Sequence, residues 1–222
     1  MANMRSSSID DDLMGQFRRP TGVQGRATAA LMNKNHNLLS TWGLTHVKIE
    51  AAFTVLDVGC GGGKTIGKLA KQTFHGKVFG IDYSKDMVEY SKEENQKLVD
   101  AGQVALVQGS VEKMSFPDNF FDLVTAIETY YFWPNISKAF QEINRVLKQG
   151  GKLLIVSEMI KDGVFEVKNA QTIAKAHVKL LPMQEIEWML LSAGFFNVEI
   201  FRKPRSPWNV ILAQKRIKSL LS

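Results

Sequence analysis

The chain has 222 residues, 45% hydrophobic and 23% charged, which suits one globular domain with a small appendage. No apolar run approaches the roughly 20 residues of a membrane span, residues 1–12 lack the apolar stretch of a signal peptide, and the one cysteine, Cys60, excludes an intrachain disulfide and a cysteine-based metal site. A cytoplasmic location without membrane association is therefore expected. The net charge of +6 traces to the C-terminal end, where Arg202, Lys203, Arg205, Lys215, Arg216 and Lys218 stand without an acid between Ile200 and Ser222. Such an end reads as a solvated face, and a nucleic-acid grip is disfavoured.

Residues 1–26 read as irregular and residues 27–49 as helical, with Leu31, Leu38, Leu39, Trp42, Val47 and Ile49 as apolar points. From Phe53 onward strands alternate with helices. Thr54–Val58 is a short apolar run ending in glycines, hence a buried strand, and Lys64–Thr73 a helix. Lys77–Asp82 is a second strand, and a helix over Ser84–Ala101 starts at a serine suited to capping it. Val104–Gln108 and Phe121–Ile127 are further strands. A helix over Ile136–Leu147 stops before Gly150-Gly151 and the strand Lys152–Ser157. Pro182–Ala193 is a helix closed by Gly194. Phe195–Phe201 and Asn209–Gln214 are two last strands with no helix between them, so they should pair antiparallel. Continuous apolar strands separated by helices require a sheet covered on both faces. The expected fold is α/β: a doubly wound, seven-stranded, mostly parallel sheet spanning residues 51–222, with a helical lid at 1–50.

Open parallel sheets bind ligands beyond the carboxyl ends of their strands. The first strand ends in Asp57-Val58-Gly59-Cys60-Gly61-Gly62-Gly63, where bare main chain can turn tightly against a ligand. The second ends in Asp82, a carboxylate able to accept from both hydroxyls of a ribose. The dinucleotide fingerprint G-x-G-x-x-G fails because its third glycine falls on Lys64. Gly63-Lys64-Thr65 supplies the end of a P-loop, but the first glycine of that motif would fall on Val58.

Five segments in order, Val55–Gly63, Val78–Ser84, Gly109–Glu112, Phe116–Asp122 and Arg145–Leu153, resemble the class I S-adenosylmethionine-dependent methyltransferases, of the small-molecule type related to ubiquinone- and menaquinone-biosynthesis enzymes. The resemblance covers roughly residues 50–215 and implies S-adenosylmethionine as cofactor. It implies Asp57 near the methionine amino group, Gly59 and Gly61 beside the methionine portion, Asp82 on the ribose and Tyr83 against the adenine. Met87, Val111 and Ala126 are expected to complete the cofactor site. The turn after the third strand carries Ser110 where the family usually has an aspartate.

Methyl transfer from a sulfonium is an in-line displacement in which the enzyme aligns the partners and excludes water. A base is needed only for a protonated nucleophile. The fourth strand runs into Glu128-Thr129-Tyr130-Tyr131-Phe132-Trp133-Pro134, which is not the N-P-P-[YFW] of enzymes acting on adenine or amide nitrogens. Glu128 is a candidate base or amino-group partner, or else a cap on neighbouring backbone. The aromatic run is an acceptor pocket, a cage around the sulfonium, or core packing, with Tyr130 and Tyr131 favoured for the site. The lid offers Asn33, His36, Asn37 and Trp42, with His36 the candidate base. His177 lies in a segment expected to shape the acceptor pocket, and His46 and His75 read as surface. Cys60 reads as a small residue tolerated in the loop, and Arg18 and Arg19 as solvated rather than as a clamp for an acidic acceptor. No metal is expected, because no group of His, Asp and Glu has ligand spacing in the sequence. The expected partner is a small-molecule methyl acceptor, with a monomer and a homodimer both open. The rivals are aminopropyl transfer or cyclisation of the cofactor, RNA methylation, and a cofactor-binding regulator without catalysis.

Overall fold

The computed structural model describes residues 15–16, 18, 20–161, 163–175 and 178–217. Its strands are β1 (Thr54–Val58), β2 (Lys77–Asp82), β3 (Val104–Gln108), β4 (Phe121–Ile127), β5 (Leu147–Ser157), β6 (Phe195–Arg202) and β7 (Asn209–Lys215). They form one sheet in the order β3-β2-β1-β4-β5-β7-β6. All neighbours are parallel except β7, which runs antiparallel to both β5 and β6. The chain leaves β1 toward one edge and returns through β4 toward the other. The crevice beyond β1 and β4 is therefore the switch point of the sheet.

The helices are α1 (Gly22–Asn35), α2 (Asn37–Leu44), α3 (Lys64–Gln72), α4 (Lys85–Glu94), α5 (Gln96–Asp100), α6 (Ile136–Val146), α7 (Phe165–Lys175) and α8 (Met183–Ser192). Their apolar sides cover the two faces of the sheet. Along β5, Leu153 and Ile155 face one core with Phe140 and Ile143 of α6 and Ile186 and Leu190 of α8. Leu154 and Val156 face the other core with Leu39 of α2, Ile66 and Leu69 of α3 and Val88 of α4. Each such buried aliphatic side chain contributes roughly 1.5–3 kcal/mol. A one-residue slip would exchange the two sets, so this alternation fixes the register.

Local chemistry sets the element ends. Ser84 Oγ accepts the Met87 N–H at 3.4 Å and starts α4, and Asn135 Oδ1 accepts the Lys138 N–H at 2.9 Å and starts α6. The single helix expected over Ser84–Ala101 is broken at Asn95, whose side-chain amide donates to the Gly63 carbonyl at 3.0 Å and the Ser91 carbonyl at 2.9 Å. The buried amide thus ties the end of α4 to the glycine loop. Strand β5 begins at Leu147 rather than Lys152 and contains Gly150 and Gly151.

The N-terminal helices lie across the crevice. Gly43 lets α2 pack directly on β5, since a β-carbon there would stand 2.4 Å from Val156 Cγ2. Lys68 on α3 donates to Asn37 O, Ser40 Oγ and Thr41 Oγ1 at 2.6–2.7 Å. Helix α1 is tied to α4 by Arg26–Glu93 and by the Gly22 N–H on Asp86. Of the apolar points expected here, Leu39 and Val47 are buried, while Leu31 and Leu38 are exposed. His46 is half-buried against Trp42 and Phe201 rather than on the surface, whereas His75 is exposed. Arg19 and His177 lie outside the described residues. No helix among the described residues is long and apolar enough to cross a membrane.

Candidate active site

A cavity of about 570 Å³ opens at the switch point, within the roughly 300–1,000 Å³ usual for small-molecule sites. Its floor is the turn after β1. Gly59 has φ +68°, and a β-carbon there would meet Thr129 Oγ1 at 2.2 Å, so both conformation and space demand glycine. The N–H groups of Gly59 and Cys60 donate to Ile81 O at 2.8 and 3.2 Å, and the Gly61 N–H donates to Asp82 Oδ2 at 2.9 Å. The other oxygen of Asp82 accepts the Ser84 N–H at 2.8 Å. One carboxylate thereby fixes the glycine turn and the start of α4 together. Burial raises the pKa of Asp82, and main-chain donors from Ser84, Gly61 and Tyr83 oppose the rise.

Asp57 pairs with Thr125 in the β1–β4 register, and the Thr125 hydroxyl donates to Asp57 Oδ1 at 2.6 Å. Burial pushes the Asp57 carboxyl up to about 7, against that hydrogen bond and with help from the charge of Asp82. Asp57, Gly59, Gly61, Asp82, Tyr83, Met87, Ser110 and Val111 all line the cavity. Ser110 Oγ accepts the Glu112 N–H at 3.2 Å. Ala126 is fully buried and does not line the cavity. Cys60 is buried, and burial pushes its thiol well above the ordinary value.

The opposite wall follows β4. Glu128 has φ +56°, a left-handed conformation that costs a non-glycine residue of order 1–3 kcal/mol and persists only where its surroundings hold it. Two donors do so. The Tyr131 hydroxyl donates to Glu128 Oε2 at 2.8 Å, and the Glu158 N–H donates to Glu128 Oε1 at 2.6 Å. Burial pushes Glu128 up to about 8, assisted by the charge of Glu158. His36, at the break between α1 and α2, brings Nε2 to 3.9 Å from Glu128 Oε2 and 4.0 Å from Glu158 Oε1. Burial lowers its pKa.

Several expectations need correction. Tyr130 is buried, and its hydroxyl donates to Met159 O at 3.0 Å, away from the cavity. Tyr131 is also buried and reaches the site only through Glu128. The aromatic run divides, with Tyr130 and Tyr131 in the core and Phe132 and Trp133 on the cavity wall. Of the N-terminal candidates, Asn33 and His36 line the cavity, and Asn33 donates to Gly62 O at 3.1 Å. Asn37 holds Lys68 instead, and Trp42 packs beside Trp208. Arg18 lines the cavity. Ligand-type atoms of His36, Glu128 and Glu158 lie within 4.8 Å of one another, a convergence that linear spacing did not reveal. Glu158 was missed altogether. Its signal was position: it follows β5 as Glu128 follows β4, and the two strands are neighbours.

The cavity suits a nucleoside-bearing cofactor. Bare main chain lines one side, a carboxylate stands where a ribose would lie, and Met87 and Val111 offer apolar surface beside the exposed Tyr83 ring. A methyltransferase-domain family model matches residues 56–155. A demethylmenaquinone methyltransferase of Oceanobacillus iheyensis is 33% identical, over 71% of this chain and 75% of that protein. A sterol 4-C-methyltransferase of Caenorhabditis elegans is 33% identical, over 81% of this chain and 50% of that protein. This chain therefore spans three quarters of one relative and half of the other. In the solved structure of phosphoethanolamine N-methyltransferase 2 of Haemonchus contortus with S-adenosyl-L-methionine, 52% of that chain superposes on 80% of this one, with a TM-score of 0.66 and 19% identity. The chain belongs to the class I S-adenosylmethionine-dependent methyltransferase family and is an enzyme of that type.

Proposed function

We propose that this enzyme binds S-adenosylmethionine in the switch-point cavity and methylates a small-molecule acceptor by in-line displacement. The observation that carries the reading is Asp82, half-buried, aimed by the glycine turn itself and lining the same cavity. Bound there, the cofactor would supply a methyl carbon activated by the sulfonium. Asp82 would hold the ribose, with Tyr83, Met87, Ser110 and Val111 around the base. Asp57, Gly59 and Gly61 would border the methionine portion. Residues 1–50 would serve as a lid that excludes water and residues 51–222 as the cofactor domain. Glu128 and His36 stand on the acceptor side, and Tyr131 positions Glu128. Relatives named for quinone and sterol methylation support a small-molecule acceptor. A cytoplasmic location is part of the proposal, supported by a sole cysteine that is free and buried.

Calorimetry with S-adenosylmethionine tests the reading. Micromolar binding by the wild type is expected. Asp82→Ala should weaken it by about 10- to 100-fold, the scale of one charge-assisted hydrogen bond of about 1.5–3 kcal/mol. No binding by the wild type, or unchanged binding by Asp82→Ala, would defeat it.

A further inference from the structure

His36 and Glu128, both able to accept hydrogen bonds, line the cavity, and Glu158 adjoins them without lining it. His36 Nε2, Glu128 Oε2 and Glu158 Oε1 converge from the α1–α2 break, the end of β4 and the end of β5, with His36 3.9 Å from one carboxylate and 4.0 Å from the other. Glu128 is fixed from behind by Tyr131 and by the Glu158 main chain. Burial favours a neutral imidazole at His36, so the cluster can take up positive charge and has none of its own to give.

The spacing identifies what would sit there. Ligands on one first-row divalent ion, at bonds of about 2.0–2.2 Å, stand roughly 3–3.5 Å apart. Acceptors sharing one nitrogen donor, at hydrogen bonds of about 2.8 Å, stand roughly 4–4.5 Å apart. The observed 3.9 and 4.0 Å match the nitrogen better. Charge agrees: an acceptor with a carboxylate at this end would meet two acidic side chains and raise them further, whereas an ammonium would favour their ionised forms.

We propose that His36, Glu128 and Glu158 form an amine-recognition subsite, so that the methyl acceptor is a primary or secondary amine carried into the cavity as its ammonium. This inference rests on the methyltransferase reading and names the substrate class for the same cavity. The facing ammonium opposes the burial that raises Glu128, so this carboxyl releases its proton to solvent as the amine binds, and the ammonium then gives one proton to the Glu128 carboxylate. The freed nitrogen lone pair turns to the methyl carbon and forms the N–C bond as the S–C bond breaks, with that electron pair going to sulfur. The methylated ammonium and the neutral thioether depart, and the proton leaves Glu128 for solvent. Glu158 and His36 hold the nitrogen and are positioning residues.

The experiment uses the full chain loaded with S-adenosylhomocysteine and compares binding of benzylamine, N-methylbenzylamine and benzyl alcohol by calorimetry. A matching turnover series uses S-adenosylmethionine with the same amines, catechol and benzoate. The amines should bind at least tenfold more tightly than the alcohol and be methylated. Glu158→Gln keeps the main-chain donor to Glu128 and should erase most of that preference, with cofactor affinity and Tm unchanged. His36→Gln, a second variant on another element, should weaken amine binding in the same way. Equal binding of amine and alcohol, transfer to catechol alone, or amine binding indifferent to both variants overturns the inference. So does Mn²⁺ binding that displaces the amine, because the cluster would then be a metal site. Cofactor affinity is measured alongside: its absence defeats the methyltransferase reading, whereas its presence with no amine preference defeats only the amine assignment.

Discussion

Replacing Gly59 by alanine brings two separable costs to one atom. The substituted residue would keep φ near +68°, which costs an L-residue about 1–2 kcal/mol. Its β-carbon would also stand 2.2 Å from Thr129 Oγ1 and 2.9 Å from Thr129 Cβ. Thr129 cannot withdraw freely, because its carbonyl accepts the Phe132 N–H at 3.0 Å and closes the 3₁₀ turn Tyr130–Phe132. Overpacking of this kind costs about 1–3 kcal/mol. Gly59→Ala should therefore lose about 2–5 kcal/mol of unfolding free energy. Thr129→Gly removes the obstructing side chain and leaves the backbone angle as it is. In that background Gly59→Ala should cost only the dihedral part, about 1–2 kcal/mol. Urea denaturation of the four proteins, followed by circular dichroism, gives the cycle, with an expected coupling of about 1–3 kcal/mol. Strict additivity would refute the contact between the glycine turn and the residue after Glu128. No loss in either background would refute the conformational argument as well.

The pH dependence of stability has a fixed sign. Glu128 is raised to about 8 and Asp57 to about 7, so the folded state holds protons that the unfolded chain releases. Their contribution is complete below the unfolded carboxyl values and is lost as pH rises through 7 and 8, by at most about 1.4 kcal/mol per unit for each group. Urea midpoints should fall between pH 6 and 8, and Glu128→Gln should flatten the fall between pH 7 and 8; an unchanged slope would contradict the assignment. Lys68→Met removes three hydrogen bonds that hold α2 and should cost about 1–2 kcal/mol, seen as roughly fivefold faster cleavage in residues 20–45 under limited proteolysis. Arg145 bonds to Glu142, Asp118, Phe116 O and Met114 O. Arg145→Lys keeps the charge and loses the fork, so chemical denaturation should show a loss of about 1–2 kcal/mol, with Arg145→Ala losing more.

The central strands were readable because they are short, nearly continuous apolar runs buried on both faces of the sheet, and the glycine turn because its conformation admits little else. The break at Asn95 was not readable. It depends on a side chain reaching Gly63 across the fold, while local propensity runs on through Ala101. The aromatic run shows the limit from another side. Tyr130 and Tyr131 carry hydroxyls that need partners, which sequence could foresee. Which partner each finds, Met159 O or Glu128, depends on how β5 lies beside β4. The same adjacency brings Glu158 to Glu128 and explains why a cluster drawn from three elements left no trace in linear spacing. His36 could be nominated from its residue type, but its distance from the two carboxylates required the docking of α2 on β5.

Cys60 gives the enzyme a built-in gauge. It is the sole sulfhydryl in the sequence, it lies within the glycine turn, and its thiol is buried and pushed well above its ordinary value. A thiol reagent therefore has one target and reaches it chiefly when the turn lifts away from β2. Labelling kinetics of the unaltered protein thus count excursions of the turn, and any compound seated against that turn makes them rarer. Occupancy of the cavity can be timed by sulfur chemistry alone, before an acceptor is known.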